Sequence, residues 1–178
     1  MAEPIALKGT PGRYVVTIKE KPRYVDATKC IGCDECTKIC PVKVPNEFEE
    51  GLLQRKAIYI PFQQAVPRVY TIDPQHCLYL TKEVCRLCER DCKGDAIDFN
   101  QKERTFNLNV GVIIISTGFT QIDPKIMGEY RYGWHPDVVT NLQFERIMVN
   151  EFRRPSDGKT PKKVAFILCV GSRALTDR

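Results

Sequence analysis

The chain has 178 residues, of which 43% are hydrophobic and 28% charged, the balance of a folded globular protein rather than a disordered or collagen-like one. Its formal net charge is +5, but the lysines and arginines are scattered and form no basic stripe, which argues against nucleic-acid binding. Residues 1–20 hold no apolar export segment, and the strongest apolar run, 110–115, is too short to cross a bilayer. We therefore expect a cytoplasmic protein that does not insert directly into a membrane.

The cysteines are the most informative part of the composition. There are nine of them, and eight fall into two tight groups. A secreted disulfide scaffold would need paired cysteines and an export segment, whereas tight groups with short spacings are typical of metal or cluster ligands. Together with the length, this favours a small cysteine-rich module set against part of a larger domain.

The first predicted element is a strand at 13–18, where β-branched and aromatic residues are bounded by Pro-Gly and Lys-Pro. The cysteine-rich region, 24–99, follows and contains an internal duplication. Its Val-Asp-x3-Cys sequence at 25–30 recurs as Ile-Asp-x3-Cys at 72–77. Between the two halves, an asparagine-capped helix is predicted at 47–56.

The segment after the cysteines has the pattern of an α/β domain. Two strands, 96–99 and 105–108, are predicted to form a hairpin, and 110–116 is predicted as a buried strand. A helix is expected at 141–150, followed by a second buried strand at 163–170 that runs into Gly-Ser-Arg. Two buried strands need neighbours at their edges and cover on both faces, so this pattern predicts a partner.

The first cysteine motif is Cys30-x2-Cys33-x2-Cys36-x3-Cys40-Pro41. Three thiolates on one tight loop can bind three irons of a [4Fe-4S] cluster, while the fourth cysteine ligates the other cluster, as in two-cluster ferredoxins. Gly32 is expected to relieve the crowded backbone within this loop. Structural zinc is the alternative, although zinc sites usually gather Cys-x2-Cys pairs from separate hairpins.

The second motif completes both ligand sets. Cluster one is assigned Cys30, Cys33, Cys36 and Cys92, and cluster two is assigned Cys40, Cys77, Cys85 and Cys88. Residues 78–84 separate the first two cysteines of this motif where two residues are expected, and we predict that they form a flap over cluster two. A three-iron cluster, or ligation by His76 in place of Cys77, is the alternative. A surface histidine is the simpler interpretation of His76, since histidine ligation of such clusters is unusual outside Rieske centres.

A second, weaker signal lies where the strand 110–116 ends. In two-domain flavoproteins a strand ending in Ala-Thr-Gly or a variant closes the FAD-binding domain beside the flavin, and here Thr117 and Gly118 follow a serine. An ordinary strand end with a glycine turn is the alternative. The chain has no G-x-G-x-x-G segment to seat a dinucleotide pyrophosphate, so we expect FAD only with a completing partner. Cys169 is expected to pack as a small buried hydrophobe.

The sequence resembles the A subunit of heterodisulfide reductase, an iron–sulfur flavoprotein, over nearly the whole chain from about residue 13. The resemblance rests on linker and post-cluster segments as well as on cysteines: 21–25, 30–41, 44–48, 55–62, 85–88, 96–99, 116–119, 154–158 and 169–173. In that family a ferredoxin module is inserted into a thioredoxin-reductase-like flavoprotein domain, the FAD is implicated in electron bifurcation, and heterodisulfide reduction belongs to a separate subunit.

The resemblance implies an α+β fold in three parts. Residues 24–99 are expected to form a bacterial-type 2[4Fe-4S] ferredoxin module with a long internal linker. Residues 1–23 and 100–178 are expected to belong to a partial α/β FAD/NAD(P)-binding domain into which the module is inserted or to which it is attached.

The implied function is electron transfer in a heterodisulfide-reductase-like complex. The chain would relay electrons between a flavin and the catalytic subunits, and it is not expected to be catalytic alone. Its partners would be the other subunits, including a chain that supplies the rest of the flavoprotein domain. The alternative is a free ferredoxin-like electron carrier with a C-terminal extension.

Overall fold

The computed structural model describes residues 1–171, so the predicted Ser172-Arg173 loop lies outside the described residues. The chain forms two compact units, one from Met1 to Ser116 and a second that begins at Thr117. Within residues 1–171, every helix falls short of the length or apolar character that crossing a membrane requires.

Strands before and after the cysteine-rich region form a three-stranded antiparallel sheet. Its strands are β1 (Ala2–Thr10), β2 (Arg13–Glu20) and β7 (Arg104–Val110), in the order β1-β2-β7. Gly12, at φ +85°, lies in the turn between β1 and β2, where its freedom to adopt positive φ is needed. The predicted strand at 13–18 is confirmed. Because β2 and β7 are adjacent partners, residues 21–103 form an excursion that leaves the sheet and returns to the neighbouring strand.

The excursion is built from short elements that repeat. They are α1 (Glu35–Ile39), β3 (Val44–Pro45), β4 (Gln54–Arg55), β5 (Ile58–Tyr59), β6 (Thr71–Ile72), α2 (Leu78–Lys82) and α3 (Leu87–Arg90). The strand pairs β3–β4 and β5–β6 are antiparallel, and α1 packs against α3. Since α1 and α3 occupy the same place in the two cysteine motifs, the duplication in the sequence is also a duplication in the structure.

A small apolar core lies between the two repeats. Ile58 and Ile72 are opposite each other in the β5–β6 pair, and each exposes only 1% of its surface. The buried thiols of Cys36 and Cys77 belong to the same cluster of side chains. The core that holds the two halves together therefore also surrounds cysteines of both motifs.

The predicted hairpin between 96–99 and 105–108 is wrong. Ile97 bridges Val25 instead, and 105–108 lies within β7, where it pairs with β2. Both partners are distant in sequence. Neighbouring apolar stretches suggested a local hairpin, but the closure of the excursion on the sheet gives each of them a different neighbour.

The predicted helix at 47–56 is also wrong. Residues 47–51 form turns, with Glu50 at φ +53° and Gly51 at φ +75°, and the chain then enters β4. The turn closes by a 2.9 Å hydrogen bond from the Gly51 N–H to the Asn46 carbonyl. Glu47, the first residue of the predicted helix, instead binds the buried guanidinium of Arg55.

The helix predicted in the second unit is confirmed as α4 (Asn141–Asn150). The Thr140 hydroxyl accepts a hydrogen bond from the Gln143 N–H, and the Gln143 side chain accepts one from the Thr140 N–H, at 3.1 and 3.0 Å. This reciprocal capping box satisfies two N–H groups at the helix end that would otherwise lack partners.

The two predicted buried strands are wrong. Strand β7 ends at Val110, and 111–116 have no regular structure and are exposed, with Ile114 at 86%. Residues 163–169 are likewise exposed and irregular. A buried strand needs a ladder partner and cover on both faces, and within the described residues neither segment has them.

Candidate iron–sulfur cluster sites

The first group of thiols surrounds one pocket. Its lining includes Cys30, Cys33, Cys36 and Cys92, the four residues assigned to cluster one from the sequence. Burial raises the pKa of the Cys36 thiol to about 12, and the nearby thiols of Cys88, Cys30, Cys33 and Cys92 act in the same direction. Crowded, buried thiols of this kind become thiolates when a metal coordinates the sulfur, because coordination replaces the proton.

Two glycines in the lining of this pocket allow close approaches of the backbone. Gly32 has φ +66°, as expected for the crowded loop, and a side chain there would begin 3.2 Å from the Arg68 carbonyl oxygen. At Gly94 a Cβ would lie 2.6 Å from the Lys29 carbonyl oxygen, a distance that no side chain tolerates. The close approach at Gly94 lets the end of the second motif, with Cys92, lie against the start of the first.

Hydrogen bonds from two linker residues fix the loop of the first motif. Asp34 has φ +65° and precedes α1. The Arg68 guanidinium donates to both oxygens of Asp34, at 3.0 and 3.1 Å, and to the Gly32 carbonyl at 3.2 Å. The hydrogen bond that the Tyr70 hydroxyl donates to Asp34 lowers the pKa of this carboxyl, and Arg68 adds to the effect. Sequence reasoning missed all three residues, because no local pattern pairs 34 with 68 and 70.

The second group of thiols is centred on Cys88, which lies on α3. Burial raises the pKa of the Cys88 thiol to about 12, and the thiols of Cys77, Cys40 and Cys85 act in the same direction. The thiols of the three other cysteines assigned to cluster two, including the fourth cysteine of the first motif, therefore lie near that of Cys88. The Lys56 ammonium donates a 2.5 Å hydrogen bond to the Cys40 carbonyl, which anchors that residue to the linker.

The insertion between Cys77 and Cys85 is largely helical. Helix α2 begins directly after Cys77, and the ring of Tyr79 packs against Phe99 with centroids 4.4 Å apart. The Arg86 guanidinium lies 5.0 Å from the centre of the Tyr79 ring. These contacts fix the insertion to the body of the module, while its role as a flap over cluster two stays a prediction.

His76 is engaged away from the thiols. Its Nδ1 lies 2.8 Å from the Asp73 carboxylate, and its side chain is 44% exposed. Cys77, in contrast, is buried at 8% exposure. The positions of both residues agree with the simpler interpretation, in which the histidine is a surface residue and the cysteine faces the site.

A backbone N–H group contacts one of the candidate ligands. The Ala96 N–H donates to the Cys92 Sγ over 3.3 Å. Hydrogen bonds to ligand sulfurs stabilise negative charge on a cluster and so tune its potential. The sequence analysis did not identify Ala96 as such a donor.

The donor sets fit iron–sulfur clusters. Among residues 1–171, no three cysteine, histidine or carboxylate side chains are close enough to share a single metal ion. In a [4Fe-4S] cluster each thiolate binds a different iron, so the four sulfurs stand around a cube rather than around one atom. Two sets of four thiols, each with buried members, match that requirement.

The residues proposed for FAD are exposed. Thr117 and Gly118 both face solvent, and Gly118 has φ +69° with open space where a side chain would project. FAD binding at this position stays a prediction. Cys169 is exposed, so the expectation that it is buried is wrong, because the strand expected to contain it does not form.

Comparison with known proteins identifies the class. Residues 23–46 match the family described as 4Fe-4S binding domain. The chain thus contains a ferredoxin-type domain that binds a [4Fe-4S] cluster, within a mixed α and β structure.

Particular relatives extend the similarity well beyond that domain. Over 97% of its length the chain is 48% identical to the iron–sulfur A subunit of CoB–CoM heterodisulfide reductase from Methanocaldococcus jannaschii. It is 43% identical, over the same share, to the A subunit of the H(2):CoB-CoM heterodisulfide,ferredoxin reductase from Methanothermobacter marburgensis. The chain spans 26% of the length of each of these relatives. The resemblance to the A subunit of heterodisulfide reductase is therefore confirmed.

Proposed function

We propose that this chain relays electrons between a flavin and the catalytic subunits of a heterodisulfide-reductase-like complex, through two [4Fe-4S] clusters. The observation that carries the proposal is that four cysteines line one pocket, while the thiols of three others lie near that of Cys88 on helix α3, which packs against α1. The names of the relatives supply the context, since both describe the A subunit of a heterodisulfide reductase.

The proposed ligand sets cross between the motifs. Cluster one is held by Cys30, Cys33, Cys36 and Cys92, and cluster two by Cys40, Cys77, Cys85 and Cys88. A bound [4Fe-4S] cluster supplies one-electron transfer. The thiol of Cys88 is near enough to raise the pKa of the Cys36 thiol, and the helices that carry these two residues pack together, which supports passage of an electron from one site to the other.

The chain's own residues hold and shield the clusters. The loop residues fix the thiols, the apolar side chains of Val25 and Ile97 line the first pocket, and the Ala96 N–H donates to a ligand sulfur. Excluding water and supplying fixed donors are the means by which proteins set cluster potentials.

We further propose that 24–99 is a ferredoxin module inserted into a flavoprotein domain to which 1–23 and 100–178 belong. The pairing of β2 with β7 supports insertion, because the chain leaves and re-enters one sheet at adjacent strands. A partner polypeptide or segment carrying a glycine-rich nucleotide loop would bring FAD to Thr117 and Gly118. A cytoplasmic location and these partners stay predictions.

A free, diffusible ferredoxin is not favoured. A free carrier needs only the cysteine module, whereas the similarity to heterodisulfide reductase subunits covers 97% of the chain, including all of the second unit's helix α4.

Metal analysis tests the central claim. After anaerobic purification or reconstitution, we expect about eight irons and eight acid-labile sulfides per chain, since each [4Fe-4S] cluster contributes four of each. Zinc in place of iron, or about four irons in fully loaded protein, would contradict two clusters. A flavin titration with and without a candidate partner tests the second claim, and tight FAD binding by the chain alone would contradict it.

A further inference from the structure

The linker between the cysteine motifs carries a buried arginine. Arg55, on β4, is 8% exposed. Its Nε and Nη2 donate to the two oxygens of Glu47, each at 2.6 Å, and Nη2 also donates to the Asp73 carboxylate at 2.8 Å. The guanidinium lies 4.0 Å from the centre of the Tyr59 ring. Burying a charge is unfavourable unless it is well paired. One of the two partners here, Asp73, lies four residues before Cys77, the first cysteine of the second motif.

Asp73 in turn holds Cys77. Its backbone carbonyl accepts the Cys77 N–H at 3.0 Å, and its carboxylate accepts the Gln75 N–H at 2.9 Å. The first motif uses the same device: the Asp26 carbonyl accepts the Cys30 N–H at 3.0 Å. An aspartate turn therefore presents the first cysteine of each motif.

The second motif needs a stronger anchor than the first. Cys30 is held in a compact loop with the next cysteine three positions away, whereas eight positions and helix α2 separate Cys77 from Cys85. The aspartate turn is therefore the local constraint nearest to Cys77 on the N-terminal side. There the linker supplies two contacts, the Arg55 ion pair and a 2.8 Å hydrogen bond from the Asp73 N–H to the Ala57 carbonyl.

We propose that Arg55 is a positioning residue for cluster two, acting through Asp73 to hold the Cys77 thiol in place. The inference rests on the proposed ligand set of cluster two. It also assigns a role to the long linker, which a minimal two-cluster ferredoxin would not need. The β3–β4 hairpin of the linker carries Arg55, which constrains Cys77 where the second motif lacks the short loop that constrains Cys30.

The test compares Arg55→Met with Arg68→Met in the full chain carrying its clusters. Arg68 is the matched control, because its guanidinium also binds an aspartate beside a cysteine motif, but at the first motif. We expect cluster two of Arg55→Met to lose iron to a chelator roughly tenfold faster than that of the wild type. Loss of a residue that supports a metal ligand weakens metal binding by about 10–100-fold, and the expected change is at the lower end of that range. Oxidised protein should also show the EPR signal of a [3Fe-4S] cluster. Arg68→Met should leave cluster two unchanged.

Two further variants make the result decisive. Cys77→Ala identifies the EPR signal of cluster two; if that variant changes neither cluster, the proposed ligand set fails. If it does remove a signal, and Arg55→Met releases iron from that same cluster at the wild-type rate, the positioning role is overturned. Should Arg55→Met fail to fold, Asp73→Asn decides, since its amide oxygen can still accept the Gln75 N–H while the ion pair is lost. Wild-type iron release in Asp73→Asn, or equal release from both clusters, would also overturn the inference.

Discussion

Replacing Cys40 with alanine separates the crossed ligand assignment from a sequential one. Cys40 lies four positions after Cys36 in the sequence, yet in the structure its thiol is grouped with that of Cys88. We therefore expect Cys40→Ala to damage the cluster of the second motif and to spare that of the first. Complete loss of one cluster would lower the iron content from about eight to about four per chain, and conversion to a three-iron cluster would lower it to about seven.

The assay is EPR of the dithionite-reduced and oxidised variant with iron and sulfide analysis of the same sample. Cys169→Ser is the matched control, because Cys169 is exposed and stands outside both groups, and its iron content should equal that of the wild type. Cys30→Ala should give the opposite result, a spectrum that contains only the signal of the cluster of the second motif. Identical spectra from Cys40→Ala and Cys30→Ala would refute the crossing.

Three other predictions concern stability. Ile72→Ala should lower the free energy of unfolding by about 2–5 kcal/mol, the range for an isoleucine-sized cavity in a core, measured by denaturant titration with the exposed Val66→Ala as control. Thr140→Ala should destabilise α4 by about 1 kcal/mol through loss of the capping box, seen as reduced helical circular dichroism on heating. Hydrogen bonds from the Ser156 hydroxyl and N–H lower the pKa of Asp137 in the folded chain. The ionised carboxylate therefore stabilises the fold at pH values above 3.8, the pKa of an unperturbed aspartate. This stabilisation is lost as the pH falls through the lower pKa of the folded state. Ser156→Ala should raise that pKa in an NMR titration, and an unchanged value would contradict the assignment.

The parts of the structure that the sequence predicted are those set by local patterns. The strand at 13–18 has an unbroken run of β-forming residues between turn signals, and helix α4 has both an apolar face and a Thr-x-x-Gln cap. The cysteine spacing predicts two groups of four, because the reach of a tight loop limits which thiols can share a cluster, and the pocket lined by the four cysteines of the first group agrees with that prediction.

The parts that were missed depend on distant partners. Residues 47–56 have good helix formers, but Glu47 pairs with the buried Arg55 and the chain turns at Glu50 and Gly51. The segments 110–116 and 163–170 have the composition of buried strands, yet within the described residues neither finds the neighbours that make an apolar strand stable. Such choices are decided by tertiary contacts that a local window does not contain.

The proposed crossing of the ligand sets would make each half of the module depend on the other. Cys40 is the last cysteine of the first motif and Cys92 the last of the second, and the proposed ligand sets assign each to the thiols of the opposite repeat. Gly94 allows the close backbone approach that this exchange requires, and the Ile58–Ile72 pair links the strand after the first half to the strand before the second. In this assignment each repeat supplies three thiols to one cluster and one thiol to the other. The module is therefore expected to acquire its two clusters as one cooperative unit, held between β2 and β7, rather than as two independent sites on a flexible chain.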